Sequence, residues 1–155
     1  MQPGPPSATS VGLAEPRLWA YTRIMRTPCY CAALRAAARK ATSLYDEALA
    51  PAGLTVAQYS LMRRIEPARG ISVTELARVT ELDRSTAGRN VKALERRGLL
   101  RTVATGDRRE AATELSAAGV AALERAAPLW AEAQRRMEAA LGDGAEALRT
   151  LALSL

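Results

Sequence analysis

The segment from residue 82 to residue 115, LDRSTAGRNVKALERRGLLRTVATGDRREAATEL, constrains the fold of this chain most strongly. It begins with a basic stretch of helical periodicity between Asp83 and Gly98, residue types that typically cap the two ends of a helix. Two short runs follow, Leu99 to Ala104 and Ala111 to Leu115, and the turn between them contains Gly and Asp, which predicts a β-hairpin. A helix followed directly by a basic hairpin predicts a winged helix.

The predicted helix has two different faces. At about 100° per residue, Ala87, Val91 and Leu94 fall on one apolar side. The nearly opposite side is basic and carries a hydroxyl group: Ser85, Arg89, Lys92 and Arg96. Such a face would also suit an ordinary solvated helix. However, arginine binds guanine edges bidentately and hydroxyl groups contact bases or phosphates, so the neighbouring hairpin favours the interpretation that this helix reads DNA.

The residues before this segment complete a helix-turn-helix pattern. Thr55 with Gln58, and Ser72 with Glu75, each have the spacing of a capping box at a helix start. The second predicted helix is short, ends near Thr80 and leads through a tight turn to the basic helix, as in helix-turn-helix motifs. We therefore predict that DNA is contacted by helix residues and by arginines at the hairpin tip: Ser85, Thr86, Arg89, Asn90, Lys92, Arg108 and Arg109.

The winged core, about 52–116, is flanked by long apolar helices. One is predicted from Cys29 to Leu49 after a short lead-in, and one from Ala117 to Leu141, where Pro128 should kink or break it. A last helix carries several leucines. The small core offers these flanks, about 17–50 and 117–155, no partner, so we expect them to pair in a homodimer. Residues 1–16, rich in Pro and Gly, predict a disordered tail ahead of a single domain from 17 to 155.

Charge and composition narrow the function further. The 155 residues carry a net charge of +6, which suits an anionic partner, and include no histidine, the commonest general base and metal ligand. The sequence contains no phosphate-binding glycine loop, nucleophile elbow or metal-binding cluster. We therefore expect neither an enzyme nor a protein with a cofactor. Without a signal peptide or membrane-spanning run, a cytoplasmic protein that does not contact membranes is expected.

Three segments together resemble the multiple-antibiotic-resistance regulator (MarR) family: GLTVAQYSLMRRI, ISVTELARVTELDRSTAGRNVKALERRGLLRT and GDRREAATELSAAG. The resemblance extends from about Cys29 to Leu141. It implies a mainly α fold, a winged helix-turn-helix with a two-stranded β wing, in a homodimeric transcriptional regulator, typically a repressor of a pseudo-palindromic operator. The N- and C-terminal helices would form the dimer interface.

The resemblance also implies roles for individual residues. Ser85, Thr86 and Arg89 match helix positions that read the major groove. Asp107 and Arg109 match the wing's Asp-x-Arg, in which the acid supports the wing and the arginine serves minor-groove binding. The family's second wing acid, nearer the start of the wing, is replaced here by Ala104.

The two cysteines suggest one means of regulation. Cys31 matches the reactive cysteine of the family's organic-peroxide-sensing branch and Tyr45 matches a tyrosine that assists it, whereas Arg35 and Val56 replace other tyrosines of that branch. The positive end of the predicted helix would favour a thiolate at Cys31. Cys29, which lies outside the branch's pattern, would then form a disulfide with a thiol of the other subunit. Alternatively, Cys31 is a small buried apolar residue and Cys29 is incidental.

Two other interpretations remain open. The regulator would instead release DNA on binding a small aromatic ligand between the dimer helices and the winged core, near some of the residues Trp19, Tyr30, Tyr45, Met62 and Trp130. A helical dimeric scaffold or ligand-binding protein without specific DNA binding is the alternative class. That class leaves unexplained why positive charge gathers on one helix and one hairpin tip.

Overall fold

Six α-helices and a small antiparallel sheet make up the part of the chain that the computed structural model describes, residues 29–68, 70–104 and 111–154. The elements are α1 (Tyr30–Leu49), a 3-10 turn (Ala50–Ala52), α2 (Val56–Ile65), β1 (Ile71–Ser72), α3 (Val73–Val79), α4 (Arg84–Arg96), β2 (Leu100–Ala104), β3 (Ala111–Leu115), α5 (Ala117–Leu141) and α6 (Gly144–Ser154). The chain divides within α1 into a first unit, which ends at Ala37, and a second unit, which begins at Ala38. The predicted tail, 1–16, and the lead-in helix lie outside the described residues.

Side chains cap the starts of the winged-core helices. Thr55 and Gln58 form the complete capping box that their spacing predicted at α2. At α3 only half of the predicted box exists, because Ser72 accepts from the Glu75 amide while the Glu75 carboxylate binds Arg78. These caps satisfy amide groups that a helix start leaves without partners, and they fix where each helix begins.

The core of the second unit is aliphatic. Its largest fully buried side chains come from four helices, α1 to α4: Leu49, Leu61, Met62, Ile65, Leu76 and Leu94. α5 adds Leu123 between small residues, Ala122 and Ala126, all of them buried. Because alanine side chains are short, α5 can approach the core closely along this side.

The sheet has three strands in the order β1-β3-β2, and all pairs are antiparallel. The sequence predicted the two wing strands, although β2 begins at Leu100 rather than Leu99. The third strand, β1, was missed. Its two residues pair with β3, Ile71 opposite Thr113 and Ser72 opposite Ala112, and thereby attach the wing to the start of α3.

α5 begins against the end of the winged core. Ser116 caps the helix and its hydroxyl donates to the Gly98 carbonyl oxygen at 2.6 Å. Buried Gly119 lies so close to this connection that a Cβ would come within 2.0 Å of the Leu99 carbonyl oxygen. Farther along, α5 continues through Pro128 as one helix, so of the predicted kink or break the break does not occur.

The last turn of α1 is joined to two other helices of the second unit. The Asp46 carboxylate accepts from the Val56 amide, the first residue of α2, at 2.7 Å. The adjacent Tyr45 hydroxyl donates to Gln134 of α5. Leu49, which ends α1, is fully buried in the core.

Candidate nucleic-acid interface

α4 presents the two faces that its sequence predicted. Ala87, Val91 and Leu94 are buried, while the residues opposite, Ser85, Arg89, Lys92 and Arg96, are exposed. Asp83 begins the helix as predicted, and Gly98 follows it with φ 70°, a left-handed conformation that favours glycine. The helix therefore packs on the core by one face and exposes a basic, hydroxyl-bearing face.

The first turn of α4 is ordered by Asp83. Its Oδ1 accepts from the Thr86 amide at 2.8 Å and from the Ser85 hydroxyl at 2.5 Å. The Ser85 hydroxyl, followed by the side chain and the amide of Thr86, holds the pKa of the Asp83 carboxyl well below its usual range. The sequence predicted Asp83 as a cap, but not that its carboxylate also binds the hydroxyl of a candidate reading residue.

The next turn connects Arg89 and Asn90 to Thr86. The Arg89 guanidinium donates from Nη2 to Thr86 Oγ1 at 3.0 Å, and the Asn90 amide donates to the Thr86 carbonyl oxygen at 3.2 Å. Arg89 is exposed, whereas Thr86 and Asn90 are half-buried. Thr86 therefore supports the orientation of Arg89. The Asn90 side chain already uses one of its donors in a hydrogen bond within α4.

Three hydrogen bonds that sequence reasoning missed hold the end of α4. Arg97 donates to Gln58 Oε1 and to the Gly53 carbonyl oxygen at 3.2 and 2.6 Å, so this cation is committed to the start of α2. The Thr102 hydroxyl donates to Glu95 at 2.8 Å and joins α4 to β2. Only the folded chain brings these distant residues together, and sequence spacing gives no signal for it.

A groove of about 560 Å³ separates α4 from the sheet. Arg84, Ser85 and Lys92 line it from the helix, and Thr102 and Thr113 from the strands. Thr113 is buried, and its hydroxyl oxygen has no hydrogen-bond partner among the described residues. The predicted wing residues Asp107, Arg108 and Arg109 lie outside the described residues.

The candidate redox residues occupy different units. Cys29 and Cys31 both lie in the first unit, and both are exposed in the single chain. Tyr45 belongs to the second unit. Burial, and to a lesser degree the negative charge of Glu138, raises the pKa of the Tyr45 hydroxyl, which keeps its proton and donates to Gln134.

The aromatic residues considered as ligand contacts differ in their surroundings. Trp130 stacks on Tyr59 with the ring centres 5.9 Å apart, and both line a cavity of about 390 Å³ with Ser60, Arg63 and Arg64. Met62 is fully buried, and Trp19 lies outside the described residues. Of the candidates, Trp130 therefore has the surroundings most suited to an aromatic ligand.

Within residues 29–68, 70–104 and 111–154, no group of three or more carboxylate or thiol side chains could hold a metal ion. In the same ranges, none of the helices combines the length and apolar character needed to cross a bilayer.

Comparison with known proteins identifies the family. A family model described as MarR family matches residues 52–110, the winged core. The Mycobacterium tuberculosis transcriptional regulator MosR, solved in complex with DNA, is 38% identical, with 81% of this chain and 92% of that chain covered and a TM-score of 0.73. The chain belongs to the MarR family.

Other members agree in fold. The transcriptional repressor CouR, solved bound to a 23-mer DNA duplex, is 29% identical over 81% of this chain and 91% of its own, with a TM-score of 0.74. A cysteine-to-serine mutant of Escherichia coli MarR complexed with operator DNA has the same fold at 21% identity, covering 86% of this chain and 95% of that chain, with a TM-score of 0.74. Comparison with curated protein sequences gives no match. Membership of the MarR family confirms the predicted winged-helix fold and makes the chain a DNA-binding transcriptional regulator.

Proposed function

We propose that this MarR-family protein is a homodimeric repressor that binds a pseudo-palindromic operator through α4 and the wing. The exposed face of α4 carries the proposal, because Ser85 and Arg89 lie on a helix whose other face is fixed in the core. The DNA-bound structures of MosR and CouR support DNA as the partner. Family membership supports a regulatory rather than a catalytic role, and disfavours the scaffold alternative.

Dimerisation is supported by apolar side chains that the single chain leaves exposed. Tyr30 of α1 is 81% exposed, and Leu148 and Leu151 of α6 are 39% and 45% exposed. Pairing of the terminal helices would bury such side chains. Symmetric pairing would also place two α4 helices in successive major grooves, about 34–36 Å apart, which suits two operator half-sites.

The proposed DNA contacts divide into base readers and positioning residues. Ser85, Thr86 and Arg89 would face base edges in the major groove, while Asn90 and Lys92 would contact its rim or the phosphates. The wing would add further contacts. Arg108 and Arg109 would lie near the minor groove, whose negative potential attracts arginine, with Asp107 supporting the turn.

Binding measurements with matched arginine variants test the proposal. Arg89→Ala should weaken operator binding by about 1–3 kcal/mol and relax sequence preference, whereas Arg109→Ala should weaken all sequences more evenly. Arg136→Ala, an exposed arginine of α5, is the control and should retain binding. Affinity of the unaltered protein that is independent of both sequence and salt would contradict the proposal.

Thiol oxidation is the first candidate for release of DNA, since Cys29 and Cys31 are both exposed. An organic hydroperoxide would oxidise Cys31 to a sulfenic acid and leave as the alcohol; a second thiol, Cys29 of the other subunit, would then form a disulfide and release water. Hydroperoxide should release DNA from the unaltered protein but not from Cys31→Ser. Equal release from both, or from neither, would exclude this route.

A small aromatic acid is the second candidate effector. Tyr59 and Trp130 offer a stacked aromatic wall, and Arg64 at the same cavity offers a cation for a carboxylate. Added benzoate should release DNA from the unaltered protein and less readily from Arg64→Ala, with Arg136→Ala as the charge-matched control. Equal release from all three would argue against this cavity.

A further inference from the structure

The Ser85 hydroxyl has a single proton, and Asp83 holds it. Ser85 Oγ lies 2.5 Å from Asp83 Oδ1. An ionised carboxylate can only accept, so the serine must be the donor in this bond. What Ser85 can still offer to a partner is the lone pairs of its exposed oxygen.

The orientation of this proton is fixed by the helix start. The carboxylate oxygen that binds Ser85 also accepts from the Thr86 amide at 2.8 Å, so Asp83 is held in place as the cap of α4. Hydrogen bonds from a hydroxyl to a carboxylate are short and about twice as strong as neutral ones. Turning the proton toward another acceptor would break such a bond.

We propose that Asp83 is a positioning residue that makes Ser85 an obligate hydrogen-bond acceptor, so that Ser85 selects adenine or cytosine on the DNA strand that it faces. In the major groove the adenine N6 and cytosine N4 amino groups are donors. Guanine O6 and N7, thymine O4 and the phosphate oxygens are all acceptors, to which a serine without a free proton contributes nothing. This inference rests on the proposed function, since it assigns a base class to one residue of the same interface.

Arg89 on the next turn supplies the opposite polarity. A guanidinium has donors only, and the Arg89 donor at Nη2 is directed to Thr86 Oγ1, which leaves other N–H groups for an outside acceptor. Arg89 therefore suits guanine, and Ser85 suits an amino group one helical turn earlier. The two residues together predict an ordered pair of base preferences within each half-site.

Selection of bound duplexes from a random pool tests the inference with the full chain. The unaltered protein should enrich one position per half-site in adenine or cytosine on one strand. In Ser85→Ala, the enrichment of adenine or cytosine at this position should fall by about fivefold, the effect of one lost hydrogen bond, and the other positions should be unchanged. Asp83→Asn keeps an equally good helix cap but binds the serine proton less strongly, so guanine and thymine should become acceptable at the same position.

A serine on another helix provides the matched control. The Ser43 hydroxyl contacts the Glu47 carboxylate at 3.2 Å on α1, and Ser43→Ala should leave every preference unchanged. Circular dichroism of each variant establishes that it is folded; if Asp83→Asn does not fold, Ser85→Ala and its control decide the base assignment.

Four results would overturn the inference. Ser85→Ala with an unchanged base profile would exclude base reading by Ser85, and an even loss of affinity across all sequences would make Ser85 a phosphate contact. Replacing the adenine or cytosine at the Ser85-dependent position by an analogue without the exocyclic amino group should weaken binding by the unaltered protein but not by Ser85→Ala, and equal affinity of the unaltered protein for both duplexes would contradict acceptance from an amino group. An Asp83→Asn profile equal to that of the unaltered protein would remove the role of Asp83. Absence of any sequence selection by the unaltered protein would instead refute the proposed function itself.

Discussion

Replacing Gly119 by alanine should destabilise the protein, although alanine is the better helix former. The new Cβ would come within 2.0 Å of the Leu99 carbonyl oxygen and 3.0 Å of its carbon. Both are backbone atoms, and the same oxygen accepts from the Ser116 amide at 3.1 Å. The start of α5 and the connection to β2 must therefore separate, and no side-chain rotation can relieve the contact.

The expected size follows from opposing effects. Overpacking costs about 1–3 kcal/mol and weakening the Ser116 hydrogen bond about 0.5–1.5 kcal/mol. The helix propensity of alanine returns at most about 1 kcal/mol. The net loss should be about 1–3 kcal/mol, which for a chain of this size lowers the melting temperature by roughly 2–4 °C per kcal/mol.

A second glycine provides the control for helix propensity. A Cβ at Gly88 of α4 would meet only Val73 Cγ1, at an ordinary 3.8 Å. Gly88→Ala should therefore leave stability unchanged or raise it by up to about 1 kcal/mol. Urea and thermal unfolding, followed by circular dichroism without DNA and at one protein concentration, measure both variants. Gly119→Ala as stable as the unaltered protein, or equal shifts in the two variants, would refute the argument.

Three further predictions concern single residues. Thr113→Val should raise the free energy of unfolding by about 1 kcal/mol, because it replaces a buried hydroxyl that has no hydrogen-bond partner within the described ranges. A lower free energy of unfolding in urea would contradict this prediction. Glu81 has φ 54°, a left-handed conformation that is strained for a residue with a side chain. Glu81→Gly should therefore raise the free energy of unfolding by about 1 kcal/mol, and a lower urea midpoint would contradict this prediction. The lowered pKa of Asp83 stabilises the fold above the ordinary carboxyl value near pH 4, and this stability should decline as pH falls further. In Asp83→Asn, the free energy of unfolding should therefore fall less steeply as the pH is lowered. An unchanged dependence on pH would show that Asp83 does not contribute.

Local signals predicted most of the winged core. Asp83 and Gly98 predicted the two ends of α4, because helix capping and a left-handed backbone conformation depend on residues that are close in the sequence. β3 also has its predicted bounds, because the Gly and Asp that precede it in the sequence are residue types typical of turns. β1 was missed because two residues cannot display a strand periodicity, and Ser72 indicated only a helix start. Its pairing with β3 depends on a strand far along the chain.

The sequence predicted which residues form the candidate site, but not how their polar atoms are hydrogen-bonded. Helical periodicity alone separated Ser85 and Arg89 from the buried face. The direction of the Ser85 proton depends on the side-chain position of Asp83, and the commitment of Arg97 to Gly53 depends on how α2 and α4 meet. Such properties follow from tertiary geometry, which residue spacing does not encode.

The two hydrogen bonds in the last turn of α1 limit how the chain length can vary. Asp46 and Val56 must meet although the 3-10 turn and Thr55 lie between them, while neighbouring Tyr45 is held to Gln134. One residue inserted or deleted between Leu49 and Thr55 would displace the Val56 amide and part the capped start of α2 from α1. We therefore expect this connection to keep a constant length among working variants of the protein, even where its residues change.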